Sequence, residues 1–341
     1  MIWLLACTDP ARPHASDRDA VVDSVPDSPV DTGEPSCGTA TFTTSEGATD
    51  LTQIFSDGTP ITLDTDGTLA FCKGTWFVRA TITAQVEVLG ETADNTVLSG
   101  GEAGTVFVVE GGSLALEHAT VDRGLAREEG NAGSGAGVRC LEGGSVTARS
   151  VVFSNHVAYD GAALFGRDGC SVVIEDSVFR GNVVDDDGGA VRVDRGTAVF
   201  REVLFEDNEA RDGGAMILQE SEVSIEGGAF RRNVVRDTQG GAILHYWGTL
   251  SASGTVFANN DANGRGGGLA LFGDTALTGV SFTGNTTTFG GGIYVYTSDG
   301  TLTCIDCAFE DNHPDDVATD IGGSYDFDVA SFTCDASGCG S

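Results

Sequence analysis

A phenylalanine recurs along this chain at positions 153, 179, 205, 230, 257, 282 and 309, about every 26 residues. Three residues later, from the second copy onward, stands an asparagine: FRGN, FEDN, FRRN, FANN, FTGN and FEDN end at Asn182, Asn208, Asn233, Asn260, Asn285 and Asn312. The first copy departs, with His156 in the asparagine's place. Between these marks lies a glycine motif: GAGV from 135, GAAL from 161, GGAV from 188, GGAM from 213, GGAI from 240, GGGL from 266 and GGGI from 290. After each motif comes a strand-like alternation, as in Val191-Arg192-Val193 and Ile293-Tyr294-Val295. No helical period separates the strands, which excludes βαβ units and helical repeats. One such unit cannot bury its own apolar face, whereas stacked units can. The expected fold is therefore all-β: a right-handed parallel β-helix with one coil per repeat and coils about 4.8 Å apart.

Stacking turns each repeat position into a column. Phe179, Phe205, Phe230, Phe257, Phe282 and Phe309 become an interior aromatic stack, and the six asparagines an amide ladder that satisfies backbone groups at a corner. The glycines permit a tight, left-handed corner. Residues 105–124 continue the pattern without the full motif, so the solenoid is expected over 60–312. Residues 37–59, with a short helix in ATDLTQIF at 48–55, would cap one end, and 313–341 would cap the other. Caps matter because the terminal coils are open sheet edges.

Composition sets the surroundings. The 51 acids against 18 Lys and Arg leave a net charge of -33, which repels nucleic acid and anionic membranes and favours cations. Residues 8–36 are rich in Asp, Ser and Pro and read as a disordered tether. Ahead of them, Leu4-Leu5-Ala6-Cys7 resembles a lipobox, making Cys7 the lipidation candidate and a lipid anchor the only membrane link expected. The stretch before Cys7 is short for a full signal peptide and carries no Lys or Arg, so an upstream start is expected. The other eight cysteines, Cys37, Cys72, Cys140, Cys170, Cys304, Cys307, Cys334 and Cys339, are an even set that export would pair as disulfides. Cys304 and Cys307 also have zinc-ligand spacing.

GGA[I/V/L] paired with FxxN resembles the repeats of chlamydial polymorphic outer-membrane proteins and related bacterial β-helix proteins, over residues 135–312. The resemblance implies a surface-exposed protein with an adhesive role. The membrane barrel that such autotransporters carry has no counterpart in this sequence, so their secretion route does not carry over.

Three features bear on function. Asp160, Asp187 and Asp212 precede successive glycine motifs and should lie above one another. Like charges at coil spacing cost roughly 1 kcal/mol per pair even in water, and calcium held by carboxylate oxygens would offset that; splayed, solvated side chains are the structural alternative. Next, with Ile243, Leu269 and Ile293 inward, an outward row of Tyr246, Phe272, Tyr294 and Tyr296 with Trp247 beside it is expected to contact a glycan or a protein, or to lie beneath a cap. Last, Arg139, Arg167 and Arg192 come near one another in successive coils, where exposed salt-bridging is the structural alternative to a charged site, the five histidines share no setting, and polygalacturonase-like Gly-His-Gly and Arg-Ile-Lys signatures are absent. The expectation is an exported surface protein, in the outer membrane or secreted, that binds a polysaccharide or surface protein without catalysis. The alternatives are a polysaccharide lyase or hydrolase of the pectin-lyase-like class and a passive spacer; oligomeric state is left open.

Overall fold

The computed structural model describes residues 39–128, 130–326 and 329–340. Cys7, the tether and Cys37 lie outside them. The chain winds about nine turns of about 26 residues into a right-handed parallel β-helix. Each turn contributes one strand to each of three lateral sheets. The first sheet holds the strands that follow the glycine motif, such as Val138–Leu141, Leu164–Arg167 and Val191–Asp194. The second holds Ser145–Arg149, Ser171–Glu175 and Thr197–Arg201. The third holds the phenylalanine strands, Val152–Ser154, Val178–Arg180 and Leu204–Glu206. A 6-stranded sheet of two-residue strands, from Leu125–Ala126 to Asp261–Ala262, closes the cross-section.

The interior is a set of columns. Phe153, Phe179, Phe205, Phe230, Phe257 and Phe282 are wholly buried. Their rings stack nearly parallel from Phe153 to Phe309, with centroids 4.5 to 5.2 Å apart. Such pairs add about 1 kcal/mol each beyond area burial. Beside them the amide ladder is continuous. The Asn208 side-chain amide donates to Asn233 Oδ1 at 2.9 Å and to the Phe179 carbonyl at 3.0 Å, and its backbone N–H donates to the same Oδ1 at 3.2 Å. The pattern repeats up to Asn312, whose amide donates to Asp316. His156, the sequence exception, takes the ladder's first place. Its N–H donates to Asn182 Oδ1, Nδ1 accepts from Gly124 N–H, and Nε2 donates to the Val121 carbonyl. That tautomer is neutral, and burial pulls the ring's pKa down to about 4.

The two glycines of the motif have separate reasons. The first, as Gly188 at φ 71, is left-handed. The second has no room for a side chain: a Cβ on Gly189 would lie 2.0 Å from the Gly214 carbonyl oxygen.

Both ends differ in detail from the expected boundaries. Residues 47–50 form a strand paired with Ala40–Thr44, so the helix starts later, at Thr52–Asp57. Ala40–Thr44 also covers Gly67–Phe71 in antiparallel fashion. At the other end, parallel pairing runs past Asn312 to Val317–Thr319, and antiparallel strands Val329–Asp335 and Gly338–Gly340 follow. Disulfides join Cys140 to Cys170, Cys304 to Cys307 and Cys334 to Cys339, and Cys72 is also disulfide-bonded. Cys304 and Cys307 are thus bonded to each other, and thiolates for zinc are not available there. Cys334–Cys339 clasps the last hairpin.

Candidate functional site

The outward side of the first sheet is built from three neighbouring columns. Nearest the glycine corner, isolated bridges join Ser134 to Asp160, Asp187 to Asp212, and Gln239 through Arg265 to Phe289. Next comes Arg139, Phe165, Arg192, Ile217, Leu244, Ala270 and Tyr294 in strict register. The third column carries Arg167, Asp194, Gln219 and Tyr246. Arg139 and Arg192 therefore share a column with Phe165 between them, while Arg167 lies in the adjacent one, 3.3 Å from Asp194.

The acids near the corner do stack, and arginines from the side compensate them. Arg192 Nη1 stands 3.2 Å from Asp160 Oδ1 and 3.4 Å from Asp187 Oδ2. Arg211 Nη2 stands 2.7 Å from Asp186 Oδ1 and 3.8 Å from Asp187 Oδ1. Asp212 accepts from the Gln239 backbone N–H. Asp160, Asp186 and Asp187 each bring a carboxylate oxygen within 4.8 Å of the others, so the geometric trio includes Asp186 rather than Asp212. Burial, then the Asp186 charge, pushes Asp187 up to about 7 against the opposing pull of Arg192. Burial also raises Asp160. Oδ1 of Asp187 is buried with no hydrogen-bond partner. Sequence reasoning found the column and named Arg192 without pairing it to these acids, and it did not single out Arg211; the signal for the pairing was the place of Arg192, five residues past Asp187 and outward on the strand that follows.

Farther along the same face the side chains turn apolar. Ile217, Leu244 and Ala270 form an outer cluster against which Tyr246 and Phe272 pack. His245 points inward, its Nδ1 3.1 Å from Thr275 Oγ1, so the alternation holds without a slip. The aromatic row is less exposed than alternation alone suggests. Tyr294 is buried at 7%, with the Arg265 guanidinium 5.4 Å above its ring. Tyr246, Phe272 and Tyr296 are half-buried, and Trp247 is 49% exposed. Phe272 stacks on Tyr246 at 4.7 Å and on Tyr296 at 3.6 Å. Both faces of Phe272 are thereby covered by neighbours, so the row offers ring edges and hydroxyls. Gln239 joins those hydroxyls: its amide donates to Tyr246 Oη at 3.0 Å, and Tyr296 Oη donates to its carbonyl oxygen at 2.8 Å. Burial raises both tyrosines. The Asp212 charge adds to the shift at Tyr246, which ties the aromatic shelf to the acid corner.

One face thus carries, end to end, an arginine-bridged acid corner and an apolar shelf with a polar hydroxyl relay. Comparison with curated proteins gives no match, and comparison with solved structures gives none. A family model for the right-handed β-helix region matches residues 93–330, which span all of this face from Val108 to Tyr296. By that match and by its winding, the chain belongs to the right-handed β-helix family.

Proposed function

We propose that this protein is an exported, non-catalytic binding module that holds a glycan along the outward face of its first sheet. The observation that carries the reading is the preformed shelf of Tyr246, Phe272 and Tyr296, with hydroxyls locked by Gln239 and Arg265 and Trp247 half exposed at its margin. Aromatic surface with a polar rim suits a sugar's mixed apolar and hydroxyl faces. The indole of Trp247 is the ring placed for stacking, and the relay supplies donors and acceptors beside it. Disulfides in the described residues fit an oxidising compartment. The lipobox-like Cys7 and the resemblance of the repeats to polymorphic outer-membrane proteins support a lipid-anchored position at the cell surface. The test is retention on a panel of immobilised neutral and acidic polysaccharides. Retention that falls at least tenfold in Trp247→Ala and Tyr246→Ala supports the reading; retention unchanged by both overturns it.

A second reading, polysaccharide cleavage, is favoured by one observation: Asp187 is held near 7 beside Asp160 and Asp186. A carboxyl that keeps its proton near neutrality is what a general acid requires. Under that reading new chain ends accumulate with the wild-type protein and not with Asp187→Asn; their absence with the wild-type protein excludes it.

A further inference from the structure

The corner between the first and second sheets repeats one backbone state and changes what it carries. Asp168, Arg195 and Glu220 occupy it in successive coils at φ 53, 51 and 49, and Trp247 follows at φ 51. A bulky residue enters that left-handed state only where the surrounding winding imposes it. The indole thus stands where the preceding coils hold charged side chains, one coil beyond Glu220. On its other side the next coil places Gly273, where a Cβ would lie 3.0 Å from the Trp247 Cα, and Asp274 follows it in the chain.

The acids that flank this ring are not compensated as those of the glycine corner are. Asp160, Asp186 and Asp187 face Arg192 and Arg211. Arg195, one coil before Glu220, is taken by Asp168 at 2.6 Å and by Asp194 at 2.8 Å. Among the described residues neither Glu220 nor Asp274 has a Lys or Arg within ion-pair distance. Asp274 Oδ1 accepts from the Thr301 N–H at 3.1 Å and from its hydroxyl at 2.9 Å, which orient the carboxylate without neutralising it. The same aspartate opens a groove of about 620 Å³ lined also by Ser298, Asp299 and Asp335, with no Lys or Arg in its lining among the described residues.

The neighbouring rings already hold a cation. Among the described residues Arg265 has no carboxylate within ion-pair distance. Its guanidinium lies 5.4 Å over the Tyr294 ring and 5.8 Å over that of Tyr296, to whose hydroxyl Nη1 donates at 3.2 Å. Attraction between the charge and the ring quadrupoles keeps it there. Trp is the strongest ring type for that attraction. Trp247 is half exposed, with Tyr246 beside it at 5.8 Å and inclined by 40°, and among the described residues no cation covers it.

We propose that Trp247 receives a protonated amine carried by the glycan, held over the indole between Glu220 and Asp274, making the ligand an amine-bearing polysaccharide. The ring supplies dispersion and cation–π attraction, and the two carboxylates supply Coulomb attraction. At a net charge of -33 the chain as a whole draws such a polymer in and repels an acidic one. The inference rests on the glycan-binding reading and names its ligand class.

The experiment measures affinity of the full chain for oligomers of glucosamine, N-acetylglucosamine and glucose of equal length and linkage, at low and high salt and at a pH that keeps the amines protonated. An oligolysine of equal charge is the comparison. Variants are Glu220→Gln, the double variant Glu220→Gln with Asp274→Asn, and Trp247→Ala. Glu220 is exposed, so its variant keeps the fold even where Asp274→Asn disturbs Thr301. The expected result is a preference of about tenfold for the glucosamine oligomer over both neutral ones, weakened by salt, reduced in Glu220→Gln and lost in the double variant and in Trp247→Ala. Equal affinity for all three sugars, falling in Trp247→Ala, overturns the inference while the glycan reading stands. A preference for the amine that both acid variants keep assigns it to net charge and likewise overturns the inference alone. Oligolysine bound as tightly as the glucosamine oligomer, with neither neutral sugar bound, replaces the glycan by a cationic protein segment and overturns both. No binding to any oligomer overturns both.

Discussion

Two outward columns of this solenoid are made by the same stacking and end in different electrostatic states. On the second sheet, Arg149, Glu175, Arg201 and Glu226 alternate in sign from coil to coil, at 3.6, 3.0 and 3.2 Å. Near the glycine corner, Asp160, Asp187 and Asp212 repeat one sign. The first column is satisfied within itself and lies 31 to 59% exposed, where screened pairs contribute little. The second is only 11 to 21% exposed and draws its compensation from other columns, through Arg192 and Arg211. Stacking enforces proximity without regard to charge. What separates scaffold from site here is therefore burial combined with dependence on a neighbour, and Asp187 registers both in its raised pKa.

The largest expected effect breaks that dependence. Arg192→Met strands Asp160 and Asp187 together and should lower stability by about 3 kcal/mol in urea unfolding. A loss under about 1 kcal/mol would place the acid column in the same class as the exposed one. The variant also opens the space between two carboxylates to a hard cation. Millimolar calcium should then raise the melting temperature of Arg192→Met more than that of the wild type, and adding Asp187→Asn should abolish the difference.

Next in size is a pH effect. The folded pKa of Asp187, about 7, exceeds its unfolded value of 3.8, so the proton favours the folded state. Its contribution is complete below the unfolded value and is lost as pH rises from about 4 to about 7. Asp187→Asn should remove that loss, and the stability difference between variant and wild type should grow across the same window. A pH-independent difference would mean that Asp187 is ionised throughout.

His156 gives the opposite sign in the interior. Its folded pKa of about 4 lies below the ordinary histidine value of 6.5, so its contribution is present above 6.5 and lost as pH falls toward 4. His156→Asn, which restores the ladder's repeating residue, should flatten that acid limb. An unchanged limb would assign it to other groups.

The smallest effect is the control. Arg201→Met removes the centre of the alternating column, between Glu175 and Glu226, and should cost less than about 1 kcal/mol.

The repeat made the fold legible because a 26-residue period with two marks in register leaves few ways to bury an apolar face. The Phe and Asn columns followed directly, and even the His156 exception kept its column's hydrogen bonds. The site was legible only as columns. Alternation located the row from Tyr246 to Tyr296 but not its cover, since Arg265 reaches Tyr294 and Tyr296 from the corner of the preceding coil. Proximity between columns depends on corner geometry and side-chain direction, which a repeat period does not encode. The Gln239 relay and the Arg192 bridge both cross columns for that reason.

The claim that one lateral face does the binding is tested most directly by hydroxyl-radical footprinting of the full chain, alone and with saturating mixed acidic and neutral polysaccharide. The predicted result is protection at Tyr246, Trp247 and Tyr296, with the exposed Phe77 of the third sheet and Ile305 unchanged. Protection at Phe77 or Ile305 instead, or no protection on the first sheet, would contradict it.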